Sequence, residues 1–107
     1  MKFVLDGDAY REQQEIFTGE MTARILELLE SAGINEPLLK ELTGNIAFEI
    51  ASMIDGVSEI EFDGSVSNPY LAFINDKDHD EVIHLNGNSY CHELVFGILN
   101  ALCEKET

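Results

Sequence analysis

The chain has 107 residues, 45% of them hydrophobic, which is enough for one domain over 1–107 whose core needs no metal or disulfide staple. Twenty-one acidic residues against six basic ones give a net charge of −15, which argues against nucleic acid and anionic membranes as partners and for a basic macromolecule. A purely solubilising use of the acids is the plainer alternative.

Met1 to Leu5 is a short apolar run, a strand or a loose arm, broken by Asp6-Gly7-Asp8. It lacks a signal-peptide core, and no stretch approaches the roughly 20 apolar residues that span a bilayer, so a cytoplasmic protein is expected. Asp8 suits the N-cap of a long first helix. Tyr10, Phe17, Met21, Ile25, Leu28 and Ala32 recur there at helical spacing, with Glu15, Glu20, Glu27 and Glu30 outside the stripe. Gly33 suits the left-handed position that ends it.

Asn35 is expected to cap a second helix, with Pro37 tolerated in its first turn. Leu39, Leu42, Ile46, Ile50 and Met53 form its stripe, widened by Ala47, Phe48, Ala51 and Ile54, so this helix reads as central. Gly44 inside it costs about 1 kcal/mol of propensity, which implies close helix packing or a kink. Asp55-Gly56 ends the helix.

Val57 to Phe62 alternates, placing Ile60 and Phe62 inward and Glu59, Glu61 and Asp63 outward. Turn formers at Asp63-Gly64 and Asn68-Pro69 precede a second strand near Tyr70 to Ile74, and Val82 to Leu85 makes a third. Between these two lies Asn75 to Glu81, the most acidic turn of the chain. Ser89 then caps a last helix with Cys91, Leu94, Val95, Ile98, Leu99 and Leu102 inward. The expected fold is α+β: two N-terminal helices, a three-stranded antiparallel β-meander and a C-terminal helix, with the helices packed on one face of the sheet. The other face is left to water or to a partner.

No catalytic or cofactor-binding set is legible. Asp76, Asp78 and Asp80 resemble the start of a calcium loop, but a loop starting at Asp76 has Glu81 where glycine is needed and Gly87 where glutamate is needed. His79, His84, His92 and Cys91 repeat no zinc-ligand spacing. His84 reads as a structural or surface histidine, and His92, in the first turn of the last helix, as neutral and hydrogen-bonded. Cys91 at a helix N-terminus is the one residue with a route to reactivity, yet its neighbour His92 points about 100° away, so a packed thiol is expected. Cys91 and Cys103 share one helix about 18 Å apart, too far to bridge. The glycines are scattered, without a phosphate loop. The expectation is therefore no enzyme, no cofactor and no metal.

What stands out is the distribution of acids. Asp55, Glu59, Glu61, Asp63, Asp76, Asp78, Asp80 and Glu81 lie within 27 residues that hold one base, Lys77. In a meander the end of the second helix and the acidic turn share one edge of the sheet, so these eight are the candidate partner-binding surface, able to steer a basic protein into contact.

Asp63-Gly64, Pro69 to Phe73 and Asn88 to Gly97, together with Leu42 to Gly56, resemble small immunity proteins of bacterial polymorphic toxin and contact-dependent growth inhibition systems. About half the chain carries the resemblance. It implies a cytoplasmic inhibitor that binds a cognate toxin domain, often a basic nuclease, and occludes its active site, with no catalytic residues of its own. Two alternatives share the acidity: a secretion-type chaperone or adaptor, which works as a dimer with apolar grooves, and a DNA-mimic inhibitor. A homodimer is compatible with each reading.

Overall fold

The computed structural model describes residues 1–105. Its elements run β1 (Lys2–Leu5), α1 (Gly7–Ser31), α2 (Leu38–Ile54), β2 (Glu61–Phe62), β3 (Ser65–Val66), β4 (Phe73–Ile74), β5 (Glu81–His84) and α3 (Cys91–Lys105). The α+β class stands, but the meander does not. One sheet has the order β1-β5-β4, with β1 parallel and β4 antiparallel to β5, and β2-β3 is a separate two-stranded hairpin. The expected first strand of the meander is displaced because its turn at Asp63-Gly64 leads straight into a short return strand. The third strand of the sheet is instead the N-terminal run, on the far side of β5, so that β5 and not β4 is central.

The helices pack chiefly on one another. Ala47, Ala51, Cys91 and Val95 form a fully buried cluster, with Met21, Ile25 and Leu71 against it. Gly44 lies in the α2–α3 contact, where an added Cβ would come within 2.8 Å of the Phe96 ring and 3.1 Å of Leu99. The close packing expected at Gly44 is thus observed. The sheet rests on α1 through Phe73, which meets Tyr10 and Phe17 edge to face at centroid distances of 5.2 and 6.3 Å.

The buried line of α1 is Tyr10, Gln14, Thr18, Thr22 and Leu26, whereas Leu28, expected inside, is 70% exposed. Threonine can occupy this interface because its hydroxyl bonds within its own helix. Thr18 donates to the Gln14 carbonyl and Thr22 to the Thr18 carbonyl, each at 2.8 Å, and Thr43 of α2 does the same to Leu39 at 2.7 Å. Each hydroxyl is satisfied before it meets the neighbouring helix.

The helix ends also differ from expectation. Asp6, not Asp8, caps α1, its carboxylate accepting the Ala9 amide at 3.1 Å, while Asp8 pairs with Arg11 on the surface. Helix α2 starts after Pro37 with no side-chain cap, and Asn35 contributes only its carbonyl, to the Leu39 amide. Gly33 holds the left-handed conformation expected of it, at φ +88°, and Gly56, expected to end α2, does so in the same conformation at φ +72°.

Candidate partner-binding surface

The eight acids do not form one surface. Asp55 follows α2 and is 1% exposed, inside the protein. Its carboxylate accepts hydrogen bonds from the Ser89 hydroxyl, the His92 amide at 2.7 Å and the His92 ring at Nδ1. Burial alone would raise its pKa, but the bonds from the His92 amide, the Ser89 hydroxyl and the His92 ring outweigh that and hold it below the usual 3.8. Because the carboxylate is ionised, His92 Nδ1 carries the proton it shares.

Asp55 therefore caps α3 from across the fold, and Ser89, expected to be that cap, orients the carboxylate instead. Gln14 of α1 supports the same helix start: its Oε1 accepts the Tyr90 amide and lies 3.7 Å from Cys91 Sγ. All three helices thus meet at one buried polar junction. Gln14 Nε2 has no hydrogen-bond partner among the described residues.

This junction is not arranged for nucleophilic catalysis. The Ser89 hydroxyl donates to the carboxylate rather than to the imidazole, so the hydroxyl–imidazole pair of a serine nucleophile is not formed there. Cys91 is fully buried, and desolvation pushes its thiol up to about 11. Among the described residues no three His, Cys, Asp or Glu side chains converge as a metal site. His84 is satisfied by the Tyr70 hydroxyl at 3.0 Å.

The remaining seven acids fall at opposite ends of β5. Asn88, past the end of β5, lies beside Gly56 at the end of α2, and from there Glu59, Glu61 and Asp63 run into the β2-β3 hairpin. Asp76, Asp78 and Asp80 lie before β5 and Glu81 begins it, at the end where the Lys2 amide donates to the Asp80 carbonyl at 2.8 Å. The shared edge inferred from a meander is absent because the strand that carried the first group left the sheet.

The hairpin is an arm. Asp63 and Gly64 both have positive φ, +53° and +81°, giving the two-residue turn that matches strand twist. Every residue from 61 to 70 is exposed, and Phe62, expected inward, is 84% exposed at the tip. Phe62 therefore stands out as a bare phenyl ring among Glu59, Glu61 and Asp63. Alternation in the sequence argued against this, and only the short return after Asp63-Gly64 hinted at it.

The acidic turn is built by its own side chains. Asn75 Oδ1 accepts the Lys77 amide, Asp78 Oδ1 accepts the Asp80 amide at 3.1 Å, and the Asn75 side-chain amide donates to Glu81 at 2.8 Å. Between this turn and α1 is a cavity of about 290 Å3 lined by Asp6, Glu12, Asp76 and Glu81, with Lys77 as the one cation among its described lining residues.

No family model, curated protein or solved structure matches this chain. Its surface chemistry rests on the geometry alone. Among the described residues no helix is long and apolar enough to cross a membrane.

Proposed function

We propose that this chain is an inhibitory binding protein of the immunity type, which neutralises a basic toxin domain by laying carboxylates into the groove where that domain's substrate would lie. A nuclease is the toxin class whose phosphate-binding groove offers the matching charge. The observation that carries the reading is the β2-β3 arm, a projecting hairpin with Phe62 84% exposed between Glu61 and Asp63. An exposed aromatic is the kind of side chain that anchors an interface, with charges suited to its rim, and the net charge of −15 speeds encounter with a cationic partner. The acidic turn adds to the long-range field from the far end of β5.

The test is capture from source-cell lysate with the purified chain as bait, washed at low and then high salt, followed by an activity assay on what is retained. One basic polypeptide whose activity the chain abolishes is the expected result. Glu59→Gln/Glu61→Gln/Asp63→Asn should slow association at least tenfold, since each arm charge contributes to steering. Retention of a partner with undiminished activity, or kinetics unchanged by the triple substitution, overturns the reading. The open apolar face of the sheet favours a second reading, an acidic secretion-type adaptor, which would retain an extended apolar segment without inhibiting any activity.

A further inference from the structure

The N-terminal strand presents an edge that pairs with no other strand among the described residues. The Lys2 amide points inward to Asp80, so Val4 also faces β5, while the N–H and C=O groups of Phe3 and Leu5 point away from the sheet. The side chains alternate too. Val4 lies toward α1, on the cavity it shares with Ala9 and Gln13, whereas Phe3 and Leu5 lie on the opposite face and are 65% and 62% exposed. On that face β4 adds Ile74, 47% exposed, and the Phe3 ring meets His84 edge to face at 5.7 Å. An unpaired edge bordered by bare apolar side chains is a template for another strand.

The sequence of β1 selects a second copy of this chain as that strand. Most of the surface is closed to self-association by the charge of −15, but residues 1–5 hold one lysine and no acid. Antiparallel pairing about a two-fold axis through Val4 sets Phe3 opposite Leu5 of the second copy, Val4 opposite Val4, and Lys2 opposite Asp6. In this register the groups that point outward, those of Phe3 and Leu5, are the ones that meet. The phenyl and isobutyl groups of both copies then form one apolar strip on the open face, and two Lys2–Asp6 pairs lie on the other. We infer that the chain forms a two-fold homodimer by β1–β1 pairing in this register, which joins the two sheets into one of six strands. An isologous contact of this kind closes on itself and leaves no edge at β1.

The experiment is sedimentation velocity of the full chain from 10 to 200 µM, with amide hydrogen exchange at both ends of that range. The expected result is a species of twice the 12.0 kDa chain mass whose Phe3 and Leu5 amides become protected as it forms. Phe3→Pro removes an outward N–H that β5 does not use and should weaken the dimer more than tenfold. Val4→Cys, in a Cys103→Ser background, should cross-link the two copies in air, because directly opposed non-hydrogen-bonded positions bring Cβ atoms close enough for a disulfide, while Phe3→Cys should lag well behind. A monomer at 200 µM overturns the inference. So does a dimer that survives Phe3→Pro, leaves Phe3 and Leu5 unprotected or fails to cross-link at Val4. The arm is untouched by these substitutions, so inhibition of a basic partner stands or falls separately.

Discussion

Replacing Asp55 by alanine should cost more stability than any surface change. Its carboxylate is the acceptor for the Ser89 hydroxyl, the His92 amide and the His92 ring, and it is 1% exposed. Without it the His92 amide loses its acceptor at the start of α3, and the Ser89 hydroxyl, itself 5% exposed, must find another. Each stranded buried donor costs about 1–3 kcal/mol, while the His92 ring, 20% exposed, can turn to water at smaller loss. The usual cost of removing one partner of a buried charged pair, about 3–5 kcal/mol, falls in the middle of that sum and is a large share of the roughly 5–15 kcal/mol that holds a domain folded. At about 4 °C per kcal/mol for a chain of this size, Tm falls by about 12–20 °C. Urea unfolding followed by circular dichroism at pH 7 measures it. Asp55→Asn, which keeps one acceptor and loses the charge, should cost about half as much.

The pH dependence has a fixed sign. The folded pKa of Asp55 lies below its unfolded value of 3.8, so its contribution is complete above that value and is lost as pH falls through the unfolded and then the folded pKa. The gap between the native protein and Asp55→Asn should hold steady from pH 7 down to about 5 and shrink below about 4. A loss under 1 kcal/mol for Asp55→Ala, or a gap that widens with acid, would refute the assignment of this carboxylate as the α3 cap.

Other substitutions probe separate features. Phe62→Ala should change stability by less than about 0.5 kcal/mol, because the ring touches little of the body, yet should weaken the inhibited complex more than tenfold in a titration of residual activity. Asp76→Asn/Asp78→Asn/Asp80→Asn should leave the circular dichroism spectrum unchanged, since asparagine at 78 still accepts the Asp80 amide, and should slow association in stopped-flow mixing. Gly44→Leu should destabilise by more than about 2 kcal/mol in urea, as its side chain would displace the buried Leu99. Cys91 should resist a thiol-exchange reagent in the native protein, with labelling at this position appearing only on unfolding.

The three helices and the β4-β5 hairpin were readable because apolar periodicity and turn residues carry them. Gly33, Gly44 and Gly56 each did what their conformational freedom or small size suggested. The polar junction was not readable, because it joins Gln14, Asp55 and His92 from three helices, and side-chain partners so far apart in sequence leave no local pattern. The inner line of α1 was misplaced for a related reason: Thr18 and Thr22 read as polar, yet each hydroxyl is consumed by its own helix and only the rest of the side chain faces inward. Asp55 counted as a surface acid by composition. Only the fold reveals that its charge is spent inside. The meander failed because Glu61–Phe62 turns at Asp63-Gly64 and spends its pairing on Ser65–Val66 instead of on β4.

The pairing of β1 with β5 joins residues 2–5 to residues 81–84. During synthesis β1 leaves the ribosome ahead of α1 and α2, but its hydrogen-bonding partner at 81–84 emerges only after both long helices, and the capping of α3 by Asp55 and Gln14 comes later still. A chain stopped anywhere before residue 81 therefore keeps two helices and a bare apolar strand, with nothing to hold that strand. Contacts of such high sequence separation form slowly, and the intermediate that waits for them is open to the wrong partners. Truncation from the C-terminus should accordingly yield aggregates, not a smaller folded unit.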